Sequence, residues 1–341
     1  LKVQFLFKRR EDLMKKALFF VIMITFFACA TNPHATSVKI YMQQQNFAKM
    51  LEEAQKWTKD EPNNPEAYIW VSRAYTLNRN YIKGAEHLFK ALELGYQKPL
   101  GDIDKTTLFN AGVTAGQNKD YDFAIKCLLK SKELEPENSK VYMNLAAFYQ
   151  AKGESKKARE ILEEGHKANP DDPQMAYFLA RFYMDESPDK AEQIANENLK
   201  KELTPGMKSK FYSLLGEIYT KKDKYEDAFN YFKKAYEADT TSLNNLFNTA
   251  LSAFLAKKYK DAISFFEKYT KKNPKDASAY EYIGRAYHLL KDYKNAVDYY
   301  KKSLSYKETA TVYRLLADSL SKLGRTKEAV EALKKAEKLE K

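Results

Sequence analysis

Seven alanines narrow what this chain can become: Ala124, Ala158, Ala191, Ala228, Ala262, Ala296 and Ala329 follow one another at intervals of 34, 33, 37, 34, 34 and 33 residues. A stride near 34 residues is the length of one helix–turn–helix unit, and such a unit buries its apolar face only by stacking on its neighbours. An all-α solenoid is therefore expected. The length of 341 residues would suggest two domains in an ordinary globular protein, but a repeat array adds core along one axis and escapes that rule. With 11 Gly, 10 Pro, 44% apolar and 30% charged residues, the composition suits a helical chain.

The register of one unit is plain over 139–170. Tyr142, Leu145, Ala146 and Tyr149 fall at i, i+3, i+4 and i+7, one apolar stripe of a first helix. Gly153-Glu154 makes the turn, Ala158, Leu162 and Gly165 form the facing stripe of a second helix, and Pro170 closes the unit. Small residues at Ala146 and Ala158 permit close approach of the pair, while Tyr149 and Leu162 fill the flanks. The pattern returns as Tyr68, Ser72, Tyr75 and Gly84, as Tyr212, Gly216, Tyr219 and Ala228, and as Tyr280, Gly284, Tyr287 and Ala296. Eight full units result, preceded by a degenerate one over 36–62 in which Tyr41, Phe47 and Ala54 keep the register. This arrangement resembles the tetratricopeptide repeat family. The resemblance implies a right-handed superhelical solenoid over 38–341, with first helices lining a concave side.

Two interruptions break the stride. Gly84 to Ala124 is 40 residues, with the excess in Gly95–Asp104, and a longer connection runs through Leu203-Thr-Pro-Gly206. Both carry Pro and Gly and are read as loops. Neutral length drift accounts for them, and a change in superhelical pitch near 95–104 and 204–208 is the sharper alternative.

The N-terminus reads as an address. Met14-Lys15-Lys16 precedes the uncharged run Ala17–Ala28, then Cys29, the plan of a secretory signal. Twelve residues are short for a membrane span, which takes about 20. Met14 is the expected start, residues 1–13 the expected untranslated leader, and 1–28 together the leader and signal. Phe26-Phe27-Ala28-Cys29 resembles a bacterial lipoprotein box, although Phe26 and Phe27 stand where the family has Leu and a small residue. That resemblance implies lipid attachment at Cys29, with 29–37 as a polar tether. Cleavage after Ala30 and an uncleaved anchor are the competing readings. The expected location is the bacterial cell envelope, lipid-anchored, or soluble in the periplasm if cleavage follows Ala30.

On the family's plan, exposed first-helix positions lie opposite the apolar stripe, and they define the expected groove. Those singled out are Ile69, Arg73, Phe109, Met143, Tyr177 and Arg181 in the earlier units. Phe247, Leu251, Phe254, Arg285 and Arg314 are the later ones, and Ser213 and Glu217 occupy matching positions between the two sets. Aromatics mixed with Arg are the residue types enriched at binding hot spots. Asn110, Asn144 and Asn248 lack the basic companions of the family's chaperone-binding carboxylate clamp.

Chemistry-bearing motifs are missing. There is no phosphate-binding Gly-rich loop and no H-E-x-x-H, and the two Cys, Cys29 and Cys127, have no metal spacing. The four His, His34, His87, His166 and His288, are scattered. Neither metal nor cofactor nor small-molecule substrate is expected, and no enzymatic activity. Net charge is +12, but the lysine pairs alternate with Glu and Asp and read as solvated faces, not a nucleic-acid surface. The expected function is a non-catalytic scaffold that holds a protein or peptide in its groove and meets the membrane through its N-terminal lipid. An assembly or localisation factor for a multimeric envelope complex is the alternative.

Overall fold

The computed structural model describes residues 32–340, which form eighteen α-helices and, among the described residues, no strand. Cys29 and the apolar run before it lie outside the described residues. The chain divides into two compact units, Leu1–Ile161 and Leu162–Lys341. The first holds α1 (Pro33–Gln43), α2 (Phe47–Asp60), α3 (Pro65–Leu77), α4 (Tyr81–Glu93), α5 (Asp102–Gln117), α6 (Tyr121–Leu134) and α7 (Ser139–Ala151). The division falls inside α8 (Ser155–Ala168). The second unit holds α9 (Pro173–Glu186), α10 (Pro188–Leu199), α11 (Pro205–Lys221), α12 (Tyr225–Ala238) and α13 (Leu243–Leu255). It continues with α14 (Tyr259–Lys272), α15 (Ala277–Leu289), α16 (Tyr293–Tyr306), α17 (Ala310–Lys322) and α18 (Thr326–Lys338).

Helix starts follow from local chemistry. Asn32, Asn46, Asn64, Asn80, Asn138 and Asn/Asp residues at matching later positions accept hydrogen bonds from first-turn amides, satisfying donors that the helix cannot. Pro occupies the first turn of α1, α3, α9, α10 and α11, where its missing N–H is harmless. Prolines that follow second helices also join units together. The hydroxyls of Tyr68, Tyr142 and Tyr280 donate to the carbonyls of Pro62, Pro136 and Pro274, at 3.1, 2.8 and 3.1 Å.

The turns inside the hairpins repeat one backbone device. Gln45, Arg79, Lys119, Gly153, Asp223, Lys257, Lys291 and Gly324 all take positive φ, between 54° and 77°. At each, the next amide reaches back to a carbonyl five residues earlier, as in Asn80 N to Tyr75 O (2.8 Å) and Lys258 N to Ala253 O (2.9 Å). These left-handed C-caps satisfy the last helical carbonyls. The hairpin of α9 and α10 differs: a single Ser187 separates the helices, and Pro188 begins the second.

Close approach within a hairpin depends on the small stripe residues. A Cβ on Gly216 would stand 2.8 Å from Phe232 Cγ, and one on Gly284 would stand 2.7 Å from Tyr300 Cδ1. The aromatic rings of the second helices thus occupy the space that the glycines leave.

Three expectations are revised. The stretch read as a tether is helical from Pro33, because Asn32 accepts from the His34 and Ala35 amides and His34 reaches Glu53 and Asp60 on α2. The unit expected to be degenerate is a full hairpin with Val38, Met50, Ala54 and Trp57 buried. The two insertions are only partly loop. Asp102–Asp104 opens α5, with the Gly101 amide donating to Asp104 Oδ2 at 2.9 Å, and Pro205-Gly206 opens α11 under a Thr204 cap. The extra residues lengthen these first helices to 16 and 17 residues, against 13 in α3, α7 and α13.

Candidate functional site: a trough between two first helices

First helices of successive hairpins touch along a row: α3 with α5 and α5 with α7 in the first unit, then α9 with α11, α13 with α15 and α15 with α17 in the second. Between α11 and α13 that direct contact is not made to the same extent. Polar side chains bridge them instead. Ser213 Oγ donates to Asn245 Oδ1 (2.6 Å), Asn245 Nδ2 donates to Ser209 Oγ (2.8 Å), and Ser209 Oγ donates to the Ala235 carbonyl (2.9 Å). Asn245 and Ser209 are buried, so the network is a fixed floor rather than a solvated surface.

Above this floor opens a cavity of about 600 Å³ lined by Tyr177, Lys210, Glu217, Asn244, Phe247 and Asn248 among others. A second cavity of about 300 Å³ shares Glu217 and Asn248 and extends the trough past Leu251. Its walls combine rigid rings with open polar groups. Tyr177 is braced edge-on against Phe211 (5.8 Å between centroids), and Phe247 against Phe266 and Tyr269 (5.4 and 5.1 Å). Among the described residues the Asn244 and Asn248 side-chain amides have no hydrogen-bond partner, so each can donate to and accept from a ligand. Asp239, at the rim, accepts from the Thr241 amide and hydroxyl (3.0 and 2.6 Å). The Thr241 hydroxyl bond holds its carboxyl below the usual carboxylate range. Burial pushes the Tyr177 phenol up, so it stays a neutral donor.

The expected groove residues separate into distinct roles. Tyr177, Phe247 and Leu251 line the trough, together with Ser213 and Glu217. Arg181 borders it, its guanidinium paired with Glu217 Oε2. Phe254 is half-buried, its ring 5.6 and 5.3 Å from those of Tyr259 and Tyr282, with the Arg285 guanidinium 5.5 Å from its centroid. In the first unit, Phe109 lines a separate polar cavity of about 340 Å³, whereas Met143 is half-buried and lines none of these cavities. Arg314 pairs with Glu340 at 2.6 Å.

Ile69 and Arg73 are corrected outright. Ile69 is fully buried with Leu88, Ala91 and Leu108, because α5 covers the face of α3 that the sequence pattern leaves open. Arg73 is spent on a fork to Asp104, Nε to Oδ1 at 2.9 Å and Nη2 to Oδ2 at 2.7 Å, and Asp104 is completely buried. Ser209, Asn244 and Asn245 escaped the sequence reading. The lengthened start of α11, which brings Ser209 to α13, was the signal that could have revealed them.

The described residues hold no cluster of three or more His, Cys, Asp or Glu suited to a metal, and no helix among them is long and apolar enough to cross a membrane.

Comparison with known proteins bears on the repeat fold. The family model for the tetratricopeptide repeat matches residues 117–182, and that for anaphase-promoting complex, cyclosome, subunit 3, matches 221–302 and 256–336. The chain is a tetratricopeptide repeat protein. Among curated relatives, the TPR repeat-containing protein MJ1428 of Methanocaldococcus jannaschii is 30% identical over 37% of this chain and 22% of its own length. The TPR repeat-containing protein YpiA of Bacillus subtilis is 28% identical over 38% of this chain and 31% of its own. The chain thus spans under a third of the length of the curated relatives it matches. The solved structure of pilF from Pseudomonas aeruginosa is similar at 18% identity and a TM-score of 0.49, covering 58% of this tetratricopeptide repeat chain and 89% of that one.

Proposed function

We propose that this protein is a non-catalytic scaffold that captures a peptide segment of a partner in the trough between α11 and α13, while tethered to a bacterial cell envelope through Cys29. The observation that carries the binding half is the open pair Asn244 and Asn248 beside the braced rings of Tyr177 and Phe247. Primary amides match the alternating donors and acceptors of an extended backbone, and rigid rings offer area at little ordering cost. Stacked helices hold these groups in place before a ligand arrives, so most of the ordering falls on the partner.

The envelope half is supported by Lys15-Lys16, the apolar run Ala17–Ala28 and the small residue ahead of Cys29. Two or three acyl chains there would hold the chain firmly, each buried methylene contributing about 0.8 kcal/mol.

Selection of phage-displayed random heptapeptides on the full chain tests the trough. Peptides are expected to be retained, and retention is expected to fail with Asn248→Arg, which fills the trough without touching the Ser213–Asn245–Ser209 floor. Undiminished retention by that variant would move the site elsewhere. Alkyne-palmitate labelling in a bacterial host tests the anchor. Label is expected on the native chain and not on Cys29→Ala, and an unlabelled native chain would remove the lipid.

A further inference from the structure

The first cavity of the trough carries more acid than base in its lining, while the cations beside it, Arg181 and Lys221, are paired with Glu217 and Asp185. The chain carries net +12, yet the cavity lining holds three carboxylates, Glu217, Asp239 and Asp276, and among its described lining residues one cation, Lys210. Lys210 is engaged locally, its Nζ 5.7 Å from the Tyr177 centroid and 3.5 Å from Gln174 Oε1. Two of the carboxylates can still accept a hydrogen bond. Asp239 receives both Thr241 bonds on Oδ1, and the Ser242 amide also acts on its carboxylate, so Oδ2 keeps acceptor capacity; Arg181 takes Glu217 on Oε2, leaving Oε1 open. Asp276 is satisfied by the Ser278 amide and the Tyr269 hydroxyl, and so adds charge without an open acceptor. Outside the cavity, Lys272 is the nearby cation acting on Asp239, and its ammonium is already donating to the Thr240 carbonyl at 2.9 Å.

Phe247 and Tyr269 stand at the same wall, their centroids 5.1 Å apart in an edge-to-face pair. Ring faces and open carboxylate oxygens around one concavity form the surroundings that a guanidinium or ammonium seeks: attraction to the ring quadrupole and a charge-assisted hydrogen bond together. An acidic side chain placed there would meet three carboxylates in a site with a fixed polar floor, and the mismatch would exclude it.

From this we infer that the partner segment enters the trough as an extended peptide bearing a lysine or arginine side chain, whose charged end meets the open carboxylate oxygen of Asp239 or of Glu217. The inference rests on the peptide-binding reading of the trough and names the chemistry of the peptide. It is distinct from what net charge would select, because a basic protein captures acidic peptides through its general field.

The same heptapeptide selection on the full chain reads this directly. Retained peptides are expected to be enriched several-fold in Lys and Arg over Asp and Glu. The double variant Asp239→Asn/Glu217→Gln, in which Asn keeps the acceptor for Thr241, is expected to bind the best basic peptide roughly tenfold more weakly, the loss of one charge-assisted contact. Replacing the lysine of that peptide by norleucine, measured by fluorescence anisotropy on the unmodified protein, is expected to cost a similar factor and does not depend on the variant folding. Retained peptides that are acidic or neutral, or a norleucine peptide that binds as well, would overturn the basic-segment inference and leave the trough as a peptide site. Retention of no peptide at all would overturn both.

Discussion

Removing the Arg73 guanidinium should destabilise the first unit far more than an exposed arginine could. Asp104 is completely buried and holds three hydrogen bonds: two from Arg73 and one from the Gly101 amide at 2.9 Å. Arg73→Ala leaves the carboxylate in that position with the amide alone. Stranding one partner of a buried pair costs about 3–5 kcal/mol, whereas an exposed pair is worth about 0–1 kcal/mol. Urea unfolding followed by tryptophan fluorescence is the suitable assay, because both tryptophans, Trp57 and Trp70, lie in the first unit and the Arg73 guanidinium sits 5.3 Å from the Trp70 ring. With a slope near 2 kcal/mol per molar urea, the midpoint should fall by roughly 1.5–2.5 M. The double variant Arg73→Met/Asp104→Leu should recover most of that loss, since an apolar replacement removes the charge together with its counter-charge. A loss under about 1 kcal/mol for Arg73→Ala would refute the buried fork and return Arg73 to the solvated face where the sequence pattern puts it.

Three further outcomes follow from the structure. Lys257→Gly and Lys291→Gly remove side chains from left-handed backbone (φ 59° and 66°) and should each be neutral to stabilising, by up to about 1 kcal/mol in thermal unfolding, whereas Lys257→Val should destabilise. The His34 ring meets Glu53 at Nδ1 (2.8 Å) and Asp60 at Nε2 (3.0 Å). Its pKa is raised chiefly by the Glu53 hydrogen bond, so the α1 clasp should be fully present below about pH 6.5 and lost as pH rises through the raised native value. Proteolysis within α1 against pH reads this, and His34→Asn should abolish the dependence. Burial pushes the Cys127 thiol up to about 12, so in a Cys29→Ser background it should stay unlabelled by Ellman's reagent at pH 8 and react at once in denaturant.

Hairpin pairing was legible because it is carried by residue size and spacing: Gly216 meets Phe232 and Gly284 meets Tyr300 where the register puts them. The turns were less so. Five of the eight left-handed positions are Gln, Arg or Lys, residues with no preference that marks such a conformation; Gly153 and Gly324 advertise it, and Asp223 does so weakly. The groove was legible as a direction and not as a surface. A helix in a stacked row has three faces, and the pattern of one helix cannot say how much of its third face the next row member covers. Ile69 is sealed by Leu108, while Phe247 keeps one side on the cavity because α11 and α13 stand apart. Coupling between residues 31 positions apart, as in Arg73 and Asp104, depends on where an insertion lengthens a helix, and no local periodicity contains that.

The repeated left-handed caps have a consequence for how such a chain acquires its shape. Every hairpin but that of α9 and α10 closes its own reversal through amides and carbonyls five residues apart, without help from any distant segment. Ordering can therefore nucleate at any of these reversals and spread to adjoining units, so the search time should depend on a single hairpin and hardly on total length. The same autonomy lets a gene duplicate or shed one 34-residue block without rewriting the rest, which suits a lineage that must fit one scaffold to partners of different reach.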